Sequence, residues 1–190
     1  MWRQLAPAFR VILFFTVLTG IVYPAVVTVL CQTLFHHQAN GSLIRVNGRI
    51  IGSSLIGQNF KRPEYFHPRP SACDYDASAS AASNYGPTNE KLVDRIQASI
   101  AKFRKDNPDY SGPIPADLVT ASASGLDPDL SLASAEAEAA RVASARGVPV
   151  NRVLAVIREN TQRRVLGFLG EPRVNVLALN LALDREFPRR

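Results

Sequence analysis

The side chains able to do chemistry are sparse in this chain. Three histidines, His36, His37 and His67, and two cysteines, Cys31 and Cys73, are its only soft metal ligands. Structural and catalytic metal sites draw such residues from short, repeated spacings. His36 and His37 instead stand together at the edge of an apolar run, where a polar ring is comfortable. His67 has only Cys73 at ligand spacing. Asp127 and Asp129 flank Pro128 and could form a carboxylate pair for acid–base work. A helix starting just beyond them accounts for both acids more simply, through its dipole and the turn that precedes it. Ser71, Ser122 and Ser124 lack the histidine and aspartate partners that activate a nucleophile. Neither a G-x-x-x-x-G-K-[ST] loop nor a G-x-G-x-x-G turn is present to hold phosphates. Catalysis by this chain is not expected.

The elements that must position these residues begin with an anchor. The 25 residues from Val11 to Phe35 contain no charge. About 20 apolar residues suffice to cross the hydrocarbon core of a bilayer. Thr16, Thr19, Thr28 and Thr33 can bond their own helix backbone, and Pro24 should kink the span. A cleaved secretory signal is the competing reading, with Arg3 and Arg10 as its basic region. Its apolar stretch would be far longer than the usual 7–15 residues, however, and no small-x-small cleavage site follows. Orientation by charge is nearly balanced, because Arg3 and Arg10 precede the span while Arg45 and Arg49 follow it within about 15 residues. The expectation is an N-terminus inside.

The 190 residues allow one anchor and one ordinary domain. The net charge of +6 comes from eighteen arginines and four lysines scattered among acids. Only Lys102–Lys105 and Arg185–Arg190 concentrate it, and no aromatics interleave, so nucleic-acid binding is not expected. Cys31 lies in the span and Cys73 beyond it, which argues against a disulfide.

Past the span, Asn47-Gly48 between two apolar runs predicts a hairpin, with the second strand continuing through Ser54–Gln58 past a bulge at Gly52. Residues 61–87 hold four prolines and a Ser/Ala tract, so they form a long irregular loop. Its aromatics Tyr65, Phe66, Tyr75 and Tyr85 predict that it is ordered. Thr88 or Asn89 caps a helix with the stripe Leu92, Ile96, Ile100 and Phe103. Ser131 starts an alanine-rich helix that Gly147 stops. A third helix is capped by Asn151, with Val153, Leu154, Ile157 and Thr161 inward. Val165–Leu169 reads as a short strand. Val174–Leu183 is ambiguous, and the reading favours a helix capped by Asn175. The class is α+β: one N-terminal transmembrane helix, then a small mixed domain. The boundaries are 1–10 for a cytoplasmic N-terminus, 11–35 for the span and 36–190 for the soluble domain.

Leu55 to Ala72 reads LIGQNFKRPEYFHPRPSA, which resembles the signature of the C subunit of bacterial Kdp high-affinity potassium-transporting P-type ATPases. The likeness continues through Tyr75-Asp76, Ser83–Asn89, Pro115–Thr120, Ser122–Pro128, Arg141–Ala143 and Ala145–Gly147. It closes with Gly167–Leu177 and Leu179–Asp184. The motifs are co-linear over residues 55–184.

The resemblance implies an accessory, non-catalytic subunit of an ATP-driven potassium importer. The Asp-Lys-Thr-Gly-Thr phosphorylation signature of P-type pumps is absent from this chain, and one helix cannot line a pore. The family's implied partners are a channel-like potassium-carrying subunit, an ATP-hydrolysing P-type subunit and a small single-helix subunit. The implied place is a bacterial inner membrane, with the N-terminus cytoplasmic and the domain outside, near the channel-like subunit's entrance. Candidate partner contacts are Thr16 and Gly20 on the helix, and Tyr65, Phe66, His67 and Arg69 on the loop. The family is also credited with raising the hydrolysing subunit's affinity for ATP, through a glutamine in a Gln-Val-Pro segment. Here Glu138-Ala139-Ala140 stands in its place, and a carboxylate repels phosphates. A domain outside the membrane would not meet cytoplasmic ATP. Pro68 and Asp129 also depart from the family's usual glycine and histidine. Two other readings compete: a membrane-tethered envelope enzyme, and a ligand-binding module built on the 61–87 loop.

Overall fold

The computed structural model describes residues 2–188 and divides at Leu43–Ile44 into two compact units. The first is one long apolar helix, Trp2–Leu34, with a mean hydropathy of 2.2 in its most apolar window and no residue buried. It is long and apolar enough to cross a membrane, and it starts nearer the N-terminus than the uncharged run alone predicts.

The helix is α-helical over Trp2–Val17 (α1) and Tyr23–Leu34 (α2), with a π-helical turn at Leu18–Val22 between them. Pro24 explains that turn. Its ring would strike the carbonyl of Gly20 in a regular helix, and it has no N–H to offer. The backbone widens instead, and the Tyr23 N–H bonds Leu18 O. The disturbance expected at Pro24 therefore lies one turn before it, as a π-turn. Thr19 and Thr33 donate their hydroxyls to Phe15 O and Val29 O, at 2.6 and 2.9 Å. A short turn of helix, His36–Ala39 (α3), follows.

In the second unit, Leu43–Val46 (β1) and Arg49–Ser53 (β2) form the hairpin. Asn47 (φ 51°) and Gly48 (φ 79°) take the left-handed conformations that a type I′ turn requires. The second strand ends at Ser53 and does not run on to Gln58. Gln58 folds back so that its side-chain amide bonds Ile51 O at 2.8 Å. A Cβ on Gly52 would lie 2.1 Å from that amide, so the glycine makes room for it.

Residues 54–89 contain neither helix nor strand. Asn89 caps Glu90–Asp106 (α4) by accepting from Lys91 N. The predicted stripe faces inward, half-buried at Leu92, Ile96 and Ile100 and buried at Phe103. A 3-10 turn at Ala116–Leu118 leads to Asp129–Ser131 (β3) and the helix Leu132–Arg146 (α5). Ser131 caps α5, and Gly147 (φ 65°) ends it. Val150–Glu159 (α6) begins after Pro149, not Asn151, because proline's fixed φ suits a helix entry. Its buried face is Val153, Val156 and Ile157, and Thr161 falls beyond its end.

Thr161–Gln162 (β4) and Arg173–Asn175 (β5) complete a three-stranded antiparallel sheet in the order β3-β5-β4. Leu130 and Thr161 both pair with Val174. Val165–Leu169 is not a strand but an exposed turn closed by one bridge between its end residues. Asn175 then caps Val176–Glu186 (α7) by accepting from Ala178 N. Val142, Val153, Ile157, Val174, Leu179 and Leu183 are fully or almost fully buried, so the core lies among α5, α6, α7 and the sheet. The fold is α+β. The last two arginines of the basic run Arg185–Arg190 lie outside the described residues.

Candidate functional site

Residues 61–87 have no ladder of their own, so their backbone groups need partners elsewhere. Side chains of α5 and α7 supply them. The Asn180 amide, 1% exposed, accepts from Phe66 N at 2.9 Å and donates to Phe66 O at 3.1 Å. One helical residue thus pairs with the loop as a strand would. The Phe66 ring is fully buried in the core. Glu138 accepts from His67 N at 3.0 Å.

Arg141, three residues on, forms an ion pair with Glu138 and donates to Pro63 O, Tyr65 O and Asn107 Oδ1. A further turn along α5, Arg146 donates to Glu64 O and Asp184 and lies over the Tyr65 ring at 5.3 Å. The Tyr65 hydroxyl donates to Asp184 at 2.9 Å. Glu138, Arg141 and Arg146 thus reach successive backbone groups of the loop, His67 N, Tyr65 O and Glu64 O. Burial explains why Glu138 and Arg141 are paired: an unpaired guanidinium or carboxylate there would be costly.

The far half of the loop is tied down differently. Arg69 pairs with Asp127 at 2.8 Å, and the Tyr75 hydroxyl donates to Arg69 O. Ser71 donates to Gly125 O at 2.7 Å. Gly125 (φ 67°) admits no side chain, since a Cβ would meet Cys73 Sγ at 2.5 Å. Asp129 pairs with Arg173 and with Asn175 of β5. Asp127 and Asp129 are therefore each engaged with a cation, and burial lifts the Asp129 carboxyl above its usual range.

A cavity of about 570 Å³ opens beside the loop, lined by Lys61, His67, Tyr75, Lys102, Asp106 and Glu138 among others. Burial pushes Glu138 up to about 7 against the pull of Arg141. Burial, and then the same guanidinium, push His67 down to about 4. At neutral pH His67 is uncharged, and its Nε2–H donates to Arg62 O. The cavity mixes both signs of charge with no convergent set of donors. Among the described residues no three His, Cys, Asp or Glu side chains gather closely enough to hold a metal ion.

The structure brings Tyr65, Phe66, His67 and Arg69 together in one clamped segment, while Thr16 and Gly20 lie exposed on the apolar helix. Phe66 presents nothing to a partner and acts from beneath. Asn180, Arg141, Arg146 and Asp184 hold the loop, and the sequence reading gave none of them a role. One signal was available for Asn180, which is the polar residue inside the apolar run Leu177–Leu183.

Comparison with known proteins gives a consistent result. The profile of the family described as "K+-transporting ATPase, c chain" matches residues 5–185. A "Potassium-transporting ATPase KdpC subunit" from Rhodospirillum rubrum is 55% identical over 190 residues, covering 99% of this chain and 98% of that protein. Proteins of the same name from Myxococcus xanthus and Mycobacterium tuberculosis are 54% and 51% identical, covering 98% and 97% of this chain and 90% and 100% of theirs. The chain belongs to the family of KdpC subunits of the potassium-transporting ATPase.

Proposed function

We propose that this chain is a non-catalytic accessory subunit that supports assembly and activity of a potassium-importing ATPase. The uncharged run Val11–Phe35 would cross a bacterial inner membrane, with residues 1–10 cytoplasmic and residues 36–190 outside. The channel-like and ATP-hydrolysing subunits would be its partners, together with a small single-helix subunit. Thr16 and Gly20 would offer a small-residue surface to a partner helix, and Tyr65, His67 and Arg69 a shaped loop to a partner domain. Phe66 supports that loop from the core.

One observation carries the reading. The buried charged groups of the globular unit, Glu138, Arg141 and Arg146, are engaged in fixing the backbone of an irregular loop. A rigid loop so held is a recognition device; a catalytic site would leave such groups facing a reacting atom. Glu138 occupies the place of the family's glutamine and is paired with Arg141 inside the protein. A direct part in binding ATP is therefore not proposed for it, and an effect on ATP affinity would have to pass through the other subunits.

The test is purification of the complex in mild detergent with and without this chain. Purified alone, the chain should hydrolyse no ATP, and its deletion should weaken or abolish potassium-stimulated hydrolysis by the rest. Normal assembly and transport without it would rule the reading out.

A further inference from the structure

The connection between β4 and β5 carries an apolar patch that the fold does not use. Val165, Leu166, Phe168 and Leu169 are 59%, 79%, 68% and 48% exposed. Elsewhere among the described residues of the globular unit, exposed large apolar side chains stand singly in the sequence. The turn is well defined. Val165 and Leu169 each donate a backbone N–H to the other's carbonyl at 2.9 Å, and Leu166, Gly167 and Gly170 all take positive φ. A leucine in the left-handed region costs about 1 kcal/mol, which the turn sustains while its side chain gains no burial in return. Turns facing water ordinarily use Gly, Asn, Asp, Ser and Pro. Four large apolar side chains on a convex tip therefore point to something that covers them.

The geometry points to the 165–169 turn as a plug that inserts into an apolar pocket on another subunit of the potassium-transporting ATPase. This rests on the accessory-subunit reading and adds a contact surface to it. Two observations favour a protein over a lipid surface. The rim carries both signs of charge: Arg164 pairs with Glu171 at 2.6 Å, and Arg173 with Asp129 at 2.9 Å. The backbone argues the same way. Among the described residues, Leu166 N–H and the carbonyls of Leu166, Gly167 and Phe168 have no partner within the chain. Hydrocarbon would leave them unpaired at high cost, whereas a protein pocket can bond them.

Arg163 is also exposed and has no ion-pair partner among the described residues, so the pocket's rim should hold a carboxylate for it. Four side chains cover far less than the roughly 800 Å² per partner of a stable interface. The plug therefore adds to an attachment made elsewhere, where tethering makes even a small contact effective.

The experiment places the photo-crosslinking residue p-benzoylphenylalanine at position 168 of the full chain, expressed with the other subunits in intact membranes. Lys91, exposed on α4, serves as the control position. Irradiation should join position 168, and not position 91, to another subunit of the ATPase identified by mass spectrometry. Adducts with lipid alone, or none while the complex still co-purifies, would overturn the plug and leave the subunit reading standing. Failure of the unaltered chain to retain any ATPase subunit would instead defeat the subunit reading. Replacement of both Leu166 and Phe168 by serine should lower the retained complex about tenfold at unchanged thermal stability of the chain. Full retention by that double variant would also overturn the plug.

Discussion

A side-chain amide that accepts from Phe66 N and donates to Phe66 O does for this loop what a neighbouring strand does for a sheet edge. Removing it leaves two buried backbone groups unpaired, and each such group costs about 1–3 kcal/mol. Asn180→Ala should therefore destabilise the full chain by about 2–4 kcal/mol in denaturant unfolding. A loss under about half a kcal/mol would mean that water takes over both bonds.

Glu138 and His67 make a second prediction because their shifts oppose each other. The folded state keeps the Glu138 proton up to about pH 7, while the unfolded chain releases it near 4.5. Between those values the folded state binds more protons, so this group lowers stability as pH rises. His67 works in reverse: unfolded it holds a proton below 6.5, folded only below about 4. Its contribution raises stability as pH climbs through that window. From 4.5 to 6.5 the two largely cancel. Arg141 and Lys102 push His67 down while Asp106 opposes them, and Arg141 opposes the burial of Glu138. Glu138→Gln should remove one side of the balance, so that the melting temperature rises with pH over 4–6.5 in the variant. Parallel profiles for variant and unaltered chain would show that Glu138 does not hold its proton in the folded state.

Among the elements, the apolar helix differs from an ordinary span by its π-turn at Leu18–Val22. Gly20 sits inside that turn with nothing within 4 Å of where its Cβ would be. Helices in lipid associate through close packing of small residues, since hydrocarbon gives apolar contacts no advantage. Thr19 bonds its own backbone, so its methyl and the bare Gly20 backbone form a small-residue spot beside the exposed Leu18 and Ile21. Gly20→Leu should then overfill the contact and reduce the other ATPase subunits recovered in mild detergent several-fold. Unchanged recovery would move the contact to another face of the helix or to the globular unit.

For the molecule as a whole, the orientation can be read from two thiols. Both cysteines are free. Cys31 lies in the apolar helix, and Cys73 sits half-exposed on the loop, where the Ser71 hydroxyl draws its thiol below the ordinary value. Thiolate is the reactive form. With the N-terminus inside, a membrane-impermeant maleimide should label the chain in intact spheroplasts, and Cys73→Ser should abolish that labelling. Labelling that appears only after lysis would reverse the orientation.

Local signals determined much of this protein. An uncharged run of apolar residues needs no tertiary context to be helical, and Asn47-Gly48, Asn89, Ser131, Gly147 and Asn175 each act on backbone within a few positions of themselves. The order of the 61–87 loop was legible in its aromatics, although Tyr85 stays outside the core, 38% exposed and stacked under Arg95 at 5.4 Å. What the sequence could not determine is what lies far apart along it. β3, β4 and β5 are two or three residues each, too short to show alternation, and they exist because Leu130 and Thr161 both meet Val174. The entry of α6 lies at Pro149 and not Asn151 because both residues suit a helix start, and the 165–169 segment is a turn because its short apolar run suits several local conformations. The clamp depends on Asn180 finding Phe66 across 114 positions. No propensity or spacing encodes such a pairing; it exists only once α5, α7 and the sheet have packed and left the loop's N–H and carbonyl groups facing those side chains.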